Sequence, residues 1–356
     1  MGAKVAILGA GAWGTAIAKV IAEKSNDVIL WCRRQEQADE INTKHTNSHY
    51  LKEVRLPAAL RATSDVQTAV QDREYIILAV PSLYIMNTVK QILGAPSIRE
   101  GECAIAVITK GFLPSPNGPR TIVETLEDYL PGFYNGSVVY ISGPSHAEEV
   151  ARDKITGLIS ASRNARNSIR FRYLLKGERL MVFSSLDVQG VQVAAAVKNI
   201  IAVAFGVLDA LKNKFSGSGT EEIIGDNTGS LLLAAGLNEI QTLGKAMGAT
   251  HSETFTSIAG VGDLDVTCRS IYGRNRRLGR EIVEKQILKN FKNIDDLINR
   301  IGELGYMPEG IAAAKQVKVL QGKLKLKLPI CTFVYRILNK EIKGEQAVHK
   351  YLKEIS

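Results

Sequence analysis

Lys198 is the residue of this 356-residue chain whose position most needs a chemical explanation. It sits in VQVAAAVKNIIAVAFGVL as the only charge between Asp187 and Asp209, on a stretch otherwise suited to complete burial. An unpaired ammonium in such a place carries a large desolvation cost, so the amine is paired, neutral or used. Desolvation lowers a lysine pKa, in extreme cases by roughly 3–5 units, which suits a proton donor near neutrality. The alternative is a lysine that snorkels to the surface from the helix rim. Lys110, in ITKG, follows a predicted strand at its carboxyl end. A second cation there would depress the Lys198 pKa further and help hold an anion, against the plainer reading of a solvated loop lysine.

A third cluster is AGVGDLDVTCRSIYGRNRR, residues 259–277. Asp263 is expected in a Gly-flanked turn, with Asp265 two residues on. Gly273-Arg274-Asn275 precedes a helical pattern, so Arg274 and the amides at the start of that helix form a candidate phosphate grip. Arg276, Arg277 and Arg280 read as a solvated basic face. The histidines (His45, His49, His146, His251, His349) have no acid placed to make a catalytic pair. His146, after Gly143-Pro144-Ser145, reads as a loop histidine. Cys32, Cys103, Cys268 and Cys331 are scattered without metal-ligand spacing, which predicts reduced, mostly buried thiols and no metal.

Gly9, Gly11 and Gly14 form GxGxxG between an apolar run and a helical pattern. Gly9 permits the tight turn, Gly11 lets the backbone approach a pyrophosphate on the amide-rich helix start (Ala12, Trp13), and Gly14 permits close helix–strand packing. In that strand–turn–helix context the motif predicts a dinucleotide site, for NAD or NADP. An NAD-specific site would carry Asp or Glu at the end of the second strand. Here Arg33-Arg34 stand there, and Asp27 lies at the wrong end. Arginines can clasp a 2′-phosphate, which predicts NADP(H) acceptance alongside NAD(H). A solvated charged turn is the alternative.

These residues need elements to position them. Short β-rich runs alternate with helical patterns through the first half: Lys4–Leu8, Val28–Cys32, Tyr75–Val80, Ala104–Ile108 and Val138–Ile141, with Thr156–Ala161 and Leu180–Phe183 extending the sheet. Ligands of doubly wound sheets bind at the carboxyl ends of the strands. After Asp187 helical spacing takes over: Val191–Leu211, Ser230–Met247, Arg277–Leu288, Ile294–Leu304 and Gly310–Leu320. The expected fold is α/β, a Rossmann-type mostly parallel sheet domain over 1–188 followed by an all-helical domain over 189–356. Residues 212–225 read as an exposed insertion. The excess of 45 Lys and Arg over 36 Asp and Glu, a formal charge of +9, suits an anionic ligand. Basic residues are spread along the chain without a nucleic-acid motif, which argues against nucleic acid as partner. The N-terminus lacks a charged lead and a cleavage site, so no signal peptide is expected. The longest uncharged runs, such as Ile200–Leu208, fall short of the roughly 20 residues a membrane span needs, and the expectation is a soluble cytoplasmic protein.

Over essentially its whole length the chain resembles the NAD(P)-dependent glycerol-3-phosphate dehydrogenases. The matching segments are GAGAWG at 9–14, ITKG at 108–111, ISGPSHAEEV at 141–150, VKN at 197–199, GDNT at 225–228, AGVGDL at 259–264 with Thr267-Cys268, and GRNRR at 273–277. The resemblance implies a site between the two domains that interconverts sn-glycerol 3-phosphate and dihydroxyacetone phosphate. It implies Lys198 as general acid/base, with Lys110, Asp263 and Thr267 around the reacting carbonyl and Asn199 beside Lys198. It implies Arg274 and Asn275 as the phosphate grip, Arg274 and Lys110 reaching the cofactor, and Glu309 near the cofactor. It also implies a cytoplasmic homodimer. The chain departs from the family after GDNT, where Gly229-Ser230 and Ala235-Gly236-Leu237 replace segments that usually carry basic residues. Two rival readings are a dinucleotide-sensing module without turnover and a dehydrogenase of another oxo substrate.

Overall fold

A computed structural model describes residues 2–215 and 224–343, so most of the expected insertion at 212–225, and His349, lie outside the described residues. The chain divides into two compact units, Met1–Lys110 with Thr121–Val191, and Gly111–Arg120 with Gln192–Ser356.

The first unit is built on strands β1 (Lys4–Leu8), β2 (Asp27–Trp31), β3 (Arg61–Thr63), β4 (Tyr75–Leu78) and β5 (Ala104–Val107). After the two-residue strands β6 (Phe112–Leu113) and β7 (Arg120–Thr121) come β8 (Val139–Ser142), β9 (Thr156–Ala161) and β10 (Leu180–Ser185). Eight of them form one sheet in the order β10-β9-β8-β5-β4-β1-β2-β3. The β8–β9 pair alone is antiparallel; the rest are parallel, with Ile7 beside Leu30 on one side and Ile77 on the other. A mostly parallel sheet covered on both faces needs strands apolar on both sides. AIAV of β5 and VYIS of β8 are buried throughout. At the edge, β10 alternates instead, with Leu180 and Val182 buried and Met181 and Phe183 exposed. Of the seven expected strands, β1 and β9 coincide with their expected spans and the other five differ by a residue or two; β3 is absent from the expected set, because only Ala62 of its three residues is buried and no periodicity marks it.

The second unit gathers around Val188–Phe215, with helices Asp226–Ala246, Arg274–Glu284, Ile294–Asn299, Gly310–Leu324 and Pro329–Leu338. Its core includes Val197, Ile200, Ile201, Leu243, Phe255 and Val317, and Phe112 from the short strand β6 joins it. Val188–Asn213 corrects the expectation that no segment is long and apolar enough to cross a bilayer. Lys198 interrupts the uncharged run, whereas the helix as a whole is long and apolar enough to cross a bilayer by length and composition, with a mean hydropathy of 1.9. Of that apolar window 89% is buried inside the protein, as in the core helix of a folded domain. Gly206 and Gly279 let Val188–Phe215 and Arg274–Glu284 touch backbone to backbone: a Cβ on Gly206 would lie 2.0 Å from the Arg276 carbonyl oxygen. The four cysteines are buried and unbridged.

Candidate active site

The glycine turn is shaped by what it touches. Gly9 has φ +123°, and a Cβ there would come within 2.8–2.9 Å of the Ala79–Val80 backbone. A Cβ on Gly14 would lie 2.0 Å from the Gly9 carbonyl oxygen, so helix Ala12–Ala22 is drawn down onto β1. Gly11 is the opposite case, with nothing of the protein within 4 Å of its would-be Cβ. The turn therefore presents open space at the residue that precedes the first amides of the helix. Those amides have no side-chain cap, and a helix start of this kind attracts an anion. The residues present thus fit the pyrophosphate of a dinucleotide. Trp13 is half-buried against the core of this unit.

Three residues not singled out in the sequence hold the turn from beneath. Gln37 Nε2 donates to the Ala10 carbonyl oxygen at 2.7 Å, and Asn47 Nδ2 donates to it at 3.0 Å and to Thr15 Oγ1 at 2.8 Å. Asn47 and Thr15 are fully buried and Gln37 nearly so. The faint sequence signal was a pair of amide side chains with no other duty, following the second strand.

Arg33 and Arg34 follow β2 and are exposed, and neither pairs with a carboxylate among the described residues. Asp27, at the start of β2, is engaged by Arg61 and Arg73, which hold its carboxyl below the usual range against the opposing effect of its partial burial. Lys110 follows β5 and is half-buried; the neighbouring Thr109 hydroxyl donates to the Val80 carbonyl oxygen at 2.6 Å.

In the second unit Lys198 does not reach solvent: the residue is 4% exposed. Its Nζ pairs with Asp263 Oδ1 and donates to Thr267 Oγ1 at 2.8 Å. The Thr267 hydroxyl in turn donates to the Asp263 carbonyl oxygen at 2.6 Å. Asp263, expected in a turn, opens the short helix Asp263–Arg269 behind the π-helical turn Ile258–Gly262 and is itself fully buried. One helical turn separates Asp263 from Thr267, so both face the amine. Burial pushes the adjacent Cys268 thiol up to about 12, which leaves it a neutral packing group.

Asn199 and Asn275 are buried beside this cluster in sequence. Asn275 Nδ2 donates to Asn199 Oδ1 at 2.9 Å, and Asn275 Oδ1 accepts from Gly310 N at 2.9 Å. The first turn of Arg274–Glu284 is thereby tied to the start of Gly310–Leu324. Arg274 is exposed at the start of the first of these helices, and Glu309, half-buried, immediately precedes the second. Among the described residues no group of three or more His, Cys, Asp or Glu is placed to hold a metal.

Residues 4–168 match the family described as NAD-dependent glycerol-3-phosphate dehydrogenase N-terminus, and residues 187–349 match its C-terminus. A glycerol-3-phosphate dehydrogenase [NAD(P)+] of Treponema denticola is 54% identical, with 99% of each chain covered. One from Enterococcus faecalis is 35% identical, over 98% of this chain and 95% of the relative. The crystal structure of glycerol-3-phosphate dehydrogenase from Coxiella burnetii superposes with a TM-score of 0.84 at 32% identity, covering 99% of both chains. The chain belongs to the NAD-dependent glycerol-3-phosphate dehydrogenase family.

Proposed function

We propose that the protein interconverts sn-glycerol 3-phosphate and dihydroxyacetone phosphate with NAD(H) or NADP(H), supplying glycerol phosphate for phospholipid synthesis. The observation that carries this reading is the buried Lys198–Asp263–Thr267 cluster in a chain whose first unit holds a complete dinucleotide turn. When bound, the dinucleotide supplies or accepts the hydride. The protein's own task is the proton. As the carbonyl oxygen of dihydroxyacetone phosphate gains negative charge, the Lys198 ammonium donates to it, and in the other direction the neutral amine takes the hydroxyl proton. Asp263 orients the amine and balances its charge, and Thr267 fixes the remaining geometry. Lys110 offers a second cation to the developing oxyanion. Arg274, with Asn275, Asn199 and the amides at the start of helix Arg274–Glu284, holds the substrate phosphate, so that binding at the non-reacting end orients the carbonyl.

Gly9, Gly11, Ala12, Trp13 and Gly14 would hold the pyrophosphate, Arg33 and Arg34 a 2′-phosphate, and Lys110, Arg274 and Glu309 the remainder of the dinucleotide. Buried, unbridged thiols support a cytoplasmic location, and we place the protein there as a homodimer, which sedimentation tests. The experiment for the activity is absorbance at 340 nm on mixing the protein with NADH or NADPH and a panel of phosphorylated and unphosphorylated oxo compounds. Oxidation confined to dihydroxyacetone phosphate is the expected result. Turnover of an unphosphorylated 2-oxo acid instead would overturn the substrate assignment, and binding without turnover would overturn the enzymatic one.

A further inference from the structure

Ala10 contributes its carbonyl oxygen to the interior, between Gly9 and Gly11, and two buried amide groups converge on it. Gln37 Nε2 lies 2.7 Å and Asn47 Nδ2 3.0 Å from that oxygen. The two side chains are also joined to each other, Gln37 Nε2 donating to Asn47 Oδ1 at 3.1 Å, and Asn47 reaches Thr15 Oγ1 on the following helix. Asn47 is 1% and Gln37 9% exposed, so both amides are shielded from water. The chain builds this on purpose-shaped backbone: helix Gln35–Lys44 ends at His45 in the left-handed region (φ 54°), which turns the chain so that Asn47 comes back under the glycine turn.

A peptide unit is planar and trans, so its C=O and N–H point in opposite directions. Drawing the Ala10 carbonyl inward therefore turns the Gly11 N–H the opposite way, away from Gln37 and Asn47, at a residue whose would-be Cβ has no other protein atom within 4 Å. Were this peptide to flip, the outward group would be a carbonyl oxygen, which repels a phosphate. We propose that Gln37 and Asn47 are positioning residues for the dinucleotide: together they lock the Ala10–Gly11 peptide in the orientation that offers an N–H, and not a C=O, to the pyrophosphate. The inference deepens the dinucleotide-binding reading and rests on it.

The redundancy of two donors on one oxygen makes the effect separable. Each single loss leaves one donor on the Ala10 carbonyl; the double loss leaves a buried carbonyl without a partner, a state that folding avoids by turning the peptide over. Near-isosteric variants Gln37→Met, Asn47→Leu and the double variant are to be titrated with NADH and with ADP-ribose by calorimetry, alongside steady-state kinetics and thermal melts. Each single variant should weaken NADH and ADP-ribose about threefold, and the double variant at least about thirtyfold, more than the product of the singles. The KM for dinucleotide should rise with it, while kcat at saturating dinucleotide stays within about twofold. A folded double variant that binds both ligands as wild type does, or one whose loss falls on kcat, overturns the lock. Failure of the wild-type protein to bind NADH at all would instead refute the dinucleotide-binding reading itself. Should Asn47→Leu melt at too low a temperature to assay, Asn47→Ser in the Gln37→Met background gives the same contrast.

Discussion

Glu239 offers a test of the second unit's folding physics that is independent of catalysis. It lies on helix Asp226–Ala246, 6% exposed, and its carboxylate accepts from Ile330 N at 2.6 Å and Cys331 N at 3.0 Å at the start of helix Pro329–Leu338. Burial raises its pKa to about 7 from the usual 4.5; the two amides pull the other way without cancelling the loss of water. Because the native pKa exceeds the unfolded one, the native state binds more protons between these values. The stability contribution is therefore complete below about pH 4.5 and is lost as pH rises through 7. A difference of about 2.5 units at about 1.4 kcal/mol each is on the order of 3 kcal/mol. Glu239→Gln keeps the shape and an acceptor for one amide but removes the titration. Urea unfolding of both proteins at pH 5 and pH 8 is the assay. We expect the two to lie within about 1 kcal/mol at pH 5, where a protonated carboxyl and a carboxamide are alike. At pH 8 the variant should gain about 3 kcal/mol relative to wild type. A difference that is the same at both pH values would refute the reasoning.

Other perturbations give equally definite outcomes. Arg274→Ala should raise the KM for dihydroxyacetone phosphate by at least about tenfold while leaving kcat within a few-fold, since the contact proposed for Arg274 is to the non-reacting phosphate. Arg33→Ala should lower kcat/KM for NADPH far more than for NADH; a strong NADH preference in the wild type that survives the substitution would end the claim for a 2′-phosphate clasp. Gly14→Ala places a Cβ 2.0 Å from the Gly9 carbonyl oxygen. It should cost about 1–3 kcal/mol in a melt and abolish NADH binding.

Much of this was legible in the sequence because it is written in local spacing. β1 and the glycine turn declare themselves through an apolar run meeting GxGxxG, and Lys198 through being the only charge between Asp187 and Asp209 in a run otherwise apolar. What the spacing could not show is partnership across distance. Asp263 and Thr267 lie 65 and 69 residues from Lys198, and only the packing of helix Asp263–Arg269 brings them to the amine. Gln37 and Asn47 gave only a faint signal, since a polar residue in a polar segment looks solvated until the αL turn at His45 folds it under Ala10. Segment Gly111–Arg120 groups with the second unit although the chain returns to the first at Thr121, because Phe112 is buried in the helical core. A boundary drawn along the sequence has no means of expressing such an excursion. Lys198 likewise masks the membrane-like length of its helix, since a single charge interrupts the run while burial is decided by the whole element.

The measurement that bears most directly on the central claim is the reduction of dihydroxyacetone phosphate by Lys198→Ala at saturating NADH, with and without added primary amines. A carboxylate left without its buried partner costs stability of about 3–5 kcal/mol, so a melt and an NADH titration establish that the variant is folded and loaded. We expect kcat to fall by roughly 10²–10⁴-fold, with partial recovery by small alkylamines of suitable pKa. A folded Lys198→Ala protein that turns over at near the wild-type kcat would show that the proton comes from elsewhere.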